Sequence, residues 1–66
     1  MSSVGIELPK EMARVRELLP IYDSIPSAHI VAGMMRQSLD AAAVALAEGD
    51  VIAIVRSYQE LKEYSA

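Results

Sequence analysis

The sequence predicts an all-α protein in which a short leading helix, kinked or broken near Pro20, precedes an antiparallel helical hairpin. Apolar residues recur at spacings of three and four along three segments, which is the period of an amphipathic helix. The tripeptide Glu48-Gly49-Asp50 combines a helix-stop signal with a helix-start signal. No segment alternates apolar and polar residues as a half-buried strand would. Because 53% of the 66 residues are hydrophobic, we expect copies of the chain to associate into a helical bundle.

The first helix is expected at about 9–22, after an N-terminal segment over 1–8 that is flexible or, in the alternative, packs Ile6 and Leu8 back onto the hairpin. Pro9 suits the first turn of a helix, where its missing N–H costs nothing. Pro20 removes a hydrogen bond and clashes with the preceding turn, so it predicts either a kink or the end of the helix. The apolar face of this helix comprises Met12, Val15, Leu18, Leu19 and Tyr22.

The second helix is expected at about 27–48 and should be the longest, because Ala and other good helix formers dominate it. Ser24 and Ser27 both qualify as its N-cap. Its apolar residues span about half of the helix circumference, which is more than packing against one neighbouring helix requires. These residues are Ile30, Val31, Met34, Met35, Leu39, Ala42, Ala45 and Leu46. The Ala-rich stretch 41–47 predicts a close helix crossing, although high helix propensity accounts for it equally well.

The third helix is expected at about 51–64, joined to the second by the Gly49-Asp50 link. Gly49 can take the left-handed conformation that closes a helix, and Asp50 can cap the next helix at once. So short a link folds the two helices back into an antiparallel hairpin. Arg56 and Glu60 are spaced for an i,i+4 ion pair. The inner face of the third helix comprises Val51, Ile54, Val55, Tyr58 and Leu61, while Ile52 lies outside it.

Composition and charge exclude several classes of protein. The net charge is −3 and the basic residues are scattered, so we expect no nucleic-acid partner. Arg36, Asp40 and Glu48 interrupt the most apolar region, so we expect no membrane span. The first residues lack the basic and apolar parts of a signal peptide, and there is no cysteine. We therefore expect a cytoplasmic protein.

No motif in the sequence points to catalysis, a cofactor or a metal. His29 is the only histidine and lacks an orienting carboxylate or nucleophile with a suitable spacing. The carboxylates form no metal-binding motif, and the three glycines lie too far apart for a phosphate-binding loop. We therefore predict that the protein is not an enzyme and has no cofactor.

The excess of apolar residues predicts a homo-oligomer. The simplest one is a dimer of hairpins with a four-helix core. Soluble monomers rarely leave a large contiguous apolar patch in water, and a twofold contact uses one patch twice. Met34 and Met35 suit the core, self-association or a groove for a foreign peptide, and the sequence leaves these three open. The residues predicted to form the oligomer interface are Ile30, Val31, Met34, Met35, Leu39, Ala42, Leu46, Ile54 and Tyr58.

Two resemblances accompany these patterns. The stretch 45–61 resembles one tetratricopeptide-repeat hairpin, in which Gly49 and Tyr58 match the family's helix-closing glycine and following aromatic residue, while Ile54 occupies its small-residue position. That resemblance implies a helical hairpin. The whole chain resembles short uncharacterised helical proteins of proteobacteria and prophages, on the segments 35–40, 46–50 and 58–62. This second resemblance implies no established activity and no site residues.

Three functions compete at this point. The first is a non-catalytic protein–protein interaction module or small phage-type accessory factor. The second is a small DNA-binding regulator with a helix-turn-helix, for which the second helix offers only His29, Arg36 and Gln37 as base-reading side chains. The third, an enzyme with a site shared between subunits, would have to use Tyr58, His29 and scattered carboxylates. We favour the interaction module.

Overall fold

Three α-helices make up most of residues 4–65, which are the residues that the computed structural model describes. Helix α1 spans Val4–Asp23, α2 spans His29–Glu48 and α3 spans Val51–Lys62. A short 3₁₀ turn, Pro26–Ala28, precedes α2. No strand occurs in this part of the chain, so the all-α prediction is confirmed.

The helices pack into a rod measuring 40 × 16 × 15 Å, with α1 and α3 both antiparallel to α2. Helices α1 and α2 have 20 residues each and α3 has 12, so α3 is shorter than its neighbours by roughly 12 Å. The end of α3 lies beside the middle of α1, where the Arg14 side chain donates to the Leu61 carbonyl. The far part of the α1–α2 pair therefore extends beyond α3.

One apolar core lies between the three helices, and each helix contributes to it. Leu8, Met35 and Leu61 are completely buried there, one from each helix. The other buried apolar members are Met12, Val15, Leu39, Ala42, Ala45 and Ile54. Within the Ala-rich stretch 41–47 the core buries Ala42 and Ala45, while Ala41, Ala43 and Ala47 are exposed.

Helix α1 begins at Val4, which corrects the predicted helix start at Pro9, and residues 4–8 of the expected flexible segment belong to this helix. Pro9 lies inside the helix, and Leu8 just before it is fully buried. An interior proline costs about 3 kcal/mol, but burying a leucine side chain contributes about 1.5–3 kcal/mol. Contacts with α2 and α3 therefore offset the local preference. Residues 1–3 of the predicted flexible segment lie outside the described residues.

Helix α1 also continues through Pro20 to Asp23, so the break, one of the two expected alternatives, does not occur, and the helix ends one residue beyond the predicted position 22. The Ser24 amide donates to the Pro20 carbonyl at 3.1 Å, closing the last turn after Asp23. Leu19 and Tyr22 pack against the core on either side of Pro20 and hold this turn in place. The kink expected there stays a prediction.

Neither serine proposed as the N-cap of α2 has that role. The Ser24 hydroxyl donates to the Ile21 carbonyl at 2.7 Å, so it satisfies the end of α1. Helix α2 has no side-chain cap, and its start is organised by the 3₁₀ turn, in which the Ala28 amide donates to the Ile25 carbonyl. Pro26 can open such a turn because its missing N–H has no partner to lose there.

The link between α2 and α3 confirms the predicted helix-stop and helix-start signals. Gly49 has φ +67°, in the left-handed region, and its amide donates to the Leu46 carbonyl at 3.2 Å. The Asp50 amide donates to the Ala45 carbonyl at 3.1 Å, which completes a Schellman motif. The Asp50 carboxylate then accepts from the Ala53 amide at 3.1 Å as the N-cap of α3. Helix α3 ends at Lys62, slightly before the predicted position 64.

Candidate interaction surface

The nine residues predicted to form the oligomer interface lie in three different environments. Met35, Leu39, Ala42 and Ile54 are buried in the core of the single chain. Val31, Leu46 and Tyr58 are partly buried and pack against that core. Only Ile30 and Met34 are exposed, at 80% and 52%. An interface between copies therefore has to be built around Ile30 and Met34 and around residues that the sequence analysis did not select.

A second stripe of side chains runs along the exposed side of α2, and four of its six members are apolar. We call it the outer stripe, and its members are the apolar Ile30, Met34, Ala41 and Val44 and the polar Gln37 and Glu48. Successive members are separated alternately by four and three residues, which is the spacing of a helix–helix seam. The core-facing residues Ala32, Met35, Leu39, Ala42 and Leu46 have the same kind of spacing. At ~100° per residue the two stripes lie roughly 160° apart, so α2 has a partly apolar face opposite the one that it turns to the core.

The outer stripe forms one wall of an open groove between α2 and α3. This outer groove has a volume of about 820 Å³. Met34, Gln37, Ser38 and Ala41 line it from α2. The opposite wall is polar and consists of Arg56, Gln59, Glu60, Glu63 and Tyr64. The groove therefore has apolar and uncharged polar side chains on its α2 side and charged side chains on its α3 side.

The charged wall carries both signs, and its charges are unpaired. Among residues 4–65 the ion pairs are Lys10–Glu7, Arg14–Glu11 and Arg36–Asp23, and none involves Arg56, Glu60 or Glu63. The predicted pair between Arg56 and Glu60 is therefore not formed. Both side chains are exposed, and water competes for an isolated i,i+4 contact. These three charges are available to a partner that enters the groove.

A smaller apolar patch lies at the start of α3. Val51 and Ile52 are 67% and 72% exposed there, next to Val55. The exposure of Ile52 confirms that it lies outside the inner face, whereas the placement of Val51 on that face is wrong. Val51 is the first residue of α3, where its side chain lies beyond the end of the core.

Arg14 is a structural residue that the sequence analysis missed. Its guanidinium donates to the carbonyls of Leu61 and Tyr64 at 2.9 and 2.8 Å, which closes the C-terminal end of α3. The Glu11 carboxylate accepts from the same guanidinium at 2.9 and 3.1 Å and orients it. These partners lie 47 and 50 positions away in the chain, so no local pattern indicates the contact.

Two further polar contacts hold the residues after α3. The Tyr22 hydroxyl donates to the Ser65 carbonyl, and the hydroxyls of Ser38 and Tyr64 lie 3.3 Å apart. Together with Arg14, these contacts attach the end of α3 to both α1 and α2. They hold Tyr64, and with it one end of the charged wall of the outer groove.

The residues considered for chemistry are not brought together. His29 is exposed at the start of α2, and neither His29 nor Tyr58 lines the outer groove. Within residues 4–65 no three His, Asp or Glu side chains are grouped as metal ligands would be. Arg36, one of the three side chains considered for base reading, is paired with Asp23 at 2.5 Å.

The segment Pro26–Glu48 is long and apolar enough to cross a membrane by length and composition, with a mean hydropathy of 1.2 in its most apolar window. The core helix of a soluble protein can meet the same criteria, but only 28% of this window is buried. The segment is both apolar and poorly buried because α2 carries apolar side chains on its outer face as well as on its core face. What the outer face contacts is therefore the main question that the structure raises.

Comparison with known proteins does not narrow the function. No family model, curated protein or solved structure matches this chain.

Proposed function

We propose that the protein is a non-catalytic, homo-oligomeric interaction module, with the dimer as the favoured state. The observation that supports this proposal is the exposure of the outer stripe. Ile30, Met34 and Val44 are 80%, 52% and 54% exposed along one helix face. Contiguous apolar surface on a small soluble protein typically marks a contact with another macromolecule.

The contact uses the outer stripe in place of the residues that the core already buries. The α2–α3 hairpins of two copies then face each other, and the four helices enclose both outer stripes. This arrangement keeps the predicted four-helix association but moves its centre from Met35 and Ile54 to Met34 and Ala41. Because the fold of each copy is complete without the contact, folded monomers and dimers can interconvert.

The expected dimer is weak. Fully burying a Val, Ile or Met side chain contributes about 1.5–3 kcal/mol, so the exposed fractions in two copies contribute roughly 6–11 kcal/mol. Association itself costs an estimated 4–15 kcal/mol. The gain and the cost are of similar size, and at most about 7 kcal/mol remains, so we expect a dissociation constant no tighter than about 10 µM.

The test is sedimentation equilibrium over a concentration series, with one disruptive variant and one matched control. Ile30→Glu places a charge in the outer stripe and should leave a monomer. Ile6→Glu changes an isoleucine on α1 that is also well exposed, at 66%, and should leave association unchanged. Circular dichroism checks that both variants remain helical. A wild-type chain that stays monomeric up to about 2 mM contradicts the proposal, because a contact worth less than about 4 kcal/mol would leave most copies unpaired.

A further inference from the structure

We propose that two copies pair with their α2 helices antiparallel, through a twofold axis that passes between Gln37 and Ala41. This inference rests on the proposed self-association and specifies its geometry. In the outer stripe, Met34 then lies opposite Val44 of the second copy, and Gln37 lies opposite Ala41 of the second copy. Ile30 lies beside Glu48 of the second copy at each end of the contact.

Charge favours the antiparallel arrangement over the parallel one. Glu48 lies at the C-terminal end of α2, where the helix dipole is negative and the last turn has no basic residue. A parallel pair would place it against Glu48 of the second copy. An antiparallel pair places it beside the first turn of the second α2, which has no acidic residue and includes His29. The contact then joins the negative end of each helix to the positive end of the other.

Side-chain size favours the same arrangement. In a parallel pair each member of the outer stripe meets itself, so Met34 meets Met34 and Ala41 meets Ala41. The helices would then be held apart at one level and leave a gap at another. The antiparallel register places the long Met34 and Gln37 opposite the smaller Val44 and Ala41, which keeps the helix separation even.

An antiparallel second copy makes the fullest use of the available area. A standard interface buries about 800 Å² per partner, and weak complexes bury less. One long face of the 40 × 16 Å rod approaches the standard area when most of its length is used. An axis near the middle of α2 overlaps the two helices along their full length. The charged wall of the groove carries both signs, so it can also face its own copy without uniform repulsion.

Single-cysteine crosslinking tests the orientation, since the natural chain has no cysteine. We compare Met34→Cys alone, Val44→Cys alone and an equimolar mixture of the two under mild oxidation. In the antiparallel register the two copies of position 34 are about 15 Å apart along the helix axis, from a rise of 1.5 Å per residue. A disulfide needs Cα atoms within ~7 Å, so only the mixture should crosslink. A mixture of Met34→Cys and Ile6→Cys measures the background from random collision.

The outcomes separate this inference from the proposed function. A mixed 34–44 disulfide above background, identified by mass spectrometry, supports the antiparallel pair. A Met34→Cys chain that crosslinks to itself overturns the orientation while leaving the dimer. A dimer in sedimentation that gives no crosslink in any mixture also overturns the register, because the contact then lies elsewhere. A chain that remains monomeric refutes the proposed function and the orientation together.

Glu48→Gln provides a second readout with opposite signs for the two orientations. The antiparallel pair loses an attraction to the second copy's helix start, so the dissociation constant should rise roughly two- to fivefold for each contact. A parallel pair would lose a repulsion, and the dissociation constant would fall. Glu17→Gln, on the exposed side of α1, is the matched control and should change nothing.

Discussion

We predict that the contact of Arg14 with the end of α3 stabilises the fold of a single copy against unfolding. Replacing Arg14 by Met keeps most of the aliphatic side chain and removes the guanidinium. The carbonyls of Leu61 and Tyr64 then lose donors at 2.9 and 2.8 Å. This loss should destabilise α3 more than the other helices, because α3 has only 12 residues and polar contacts hold its C-terminal end.

The size of the effect follows from the charge and the exposure of this side chain. A hydrogen bond to a charged group contributes about 1.5–3 kcal/mol when it is well shielded. The Arg14 side chain is 38% exposed, so water replaces part of the lost contact. We therefore expect a loss of about 1–2 kcal/mol in the free energy of unfolding, including the interaction of the cation with the negative end of α3. For so small a domain this is a large share of the total.

Urea denaturation followed by circular dichroism measures this loss. The matched control is Arg16→Met, which changes an exposed arginine on the same helix that forms no ion pair among residues 4–65. Both variants are measured at the same low protein concentration, because association would add stability to each. We expect the transition midpoint of Arg14→Met to fall and that of Arg16→Met to stay near the wild-type value. Equal midpoints for the two variants would show that the guanidinium does not hold α3.

The remaining predictions concern the helix link, the two faces of α2 and the DNA alternative. Asp50→Ala removes the N-cap of α3 and should lower the free energy of unfolding by about 1 kcal/mol, whereas Asp50→Asn should retain most of it; urea titrations that show the two alike would contradict the capping role. Met35→Ala opens a cavity in the core and should cost about 2–5 kcal/mol, while Met34→Ala should leave the stability of the monomer nearly unchanged. If Met34→Ala lowers the free energy of unfolding as much as Met35→Ala, then Met34 is also buried in the core and does not belong to an exposed stripe. Duplex DNA should cause no salt-dependent mobility shift at low ionic strength, and a shift would revive the regulator hypothesis.

Local signals in the sequence were enough to predict the hairpin. The end of α2 at Glu48, the left-handed Gly49 and the capping Asp50 all agree with the structure, because each depends on backbone groups within a few residues. The start of α1 and its continuation through Pro20 could not be predicted in this way, although its end at Asp23 lies one residue beyond the predicted position. The burial of Leu8 and the packing around Pro20 depend on side chains of α2 and α3, and these contacts override the local effects of proline.

The candidate surface was predicted only in part. The sequence shows the wide apolar arc of α2 and predicts one continuous face. The structure divides this arc between the core and the outer stripe. Ile30 and Met34 belong to the outer stripe, whereas Met35 and Leu39 belong to the core. Periodicity alone cannot assign the stripes, because both have the same spacing of three and four residues. The sequence likewise does not indicate that the charges of Arg56 and Glu60 are unpaired, because their spacing fits an ion pair that is not formed.

The amino-acid sequence by itself determined that the chain is helical, where α2 ends and α3 begins, and that α2 carries more apolar surface than one neighbour can cover. These properties follow from helix propensity, capping and periodicity, which act over a few residues. The tertiary structure decided which stripe of α2 faces the core, how far α1 extends and that Arg14 holds the end of α3. Those outcomes depend on which side chains meet across the bundle, and such contacts join residues that are distant in the chain.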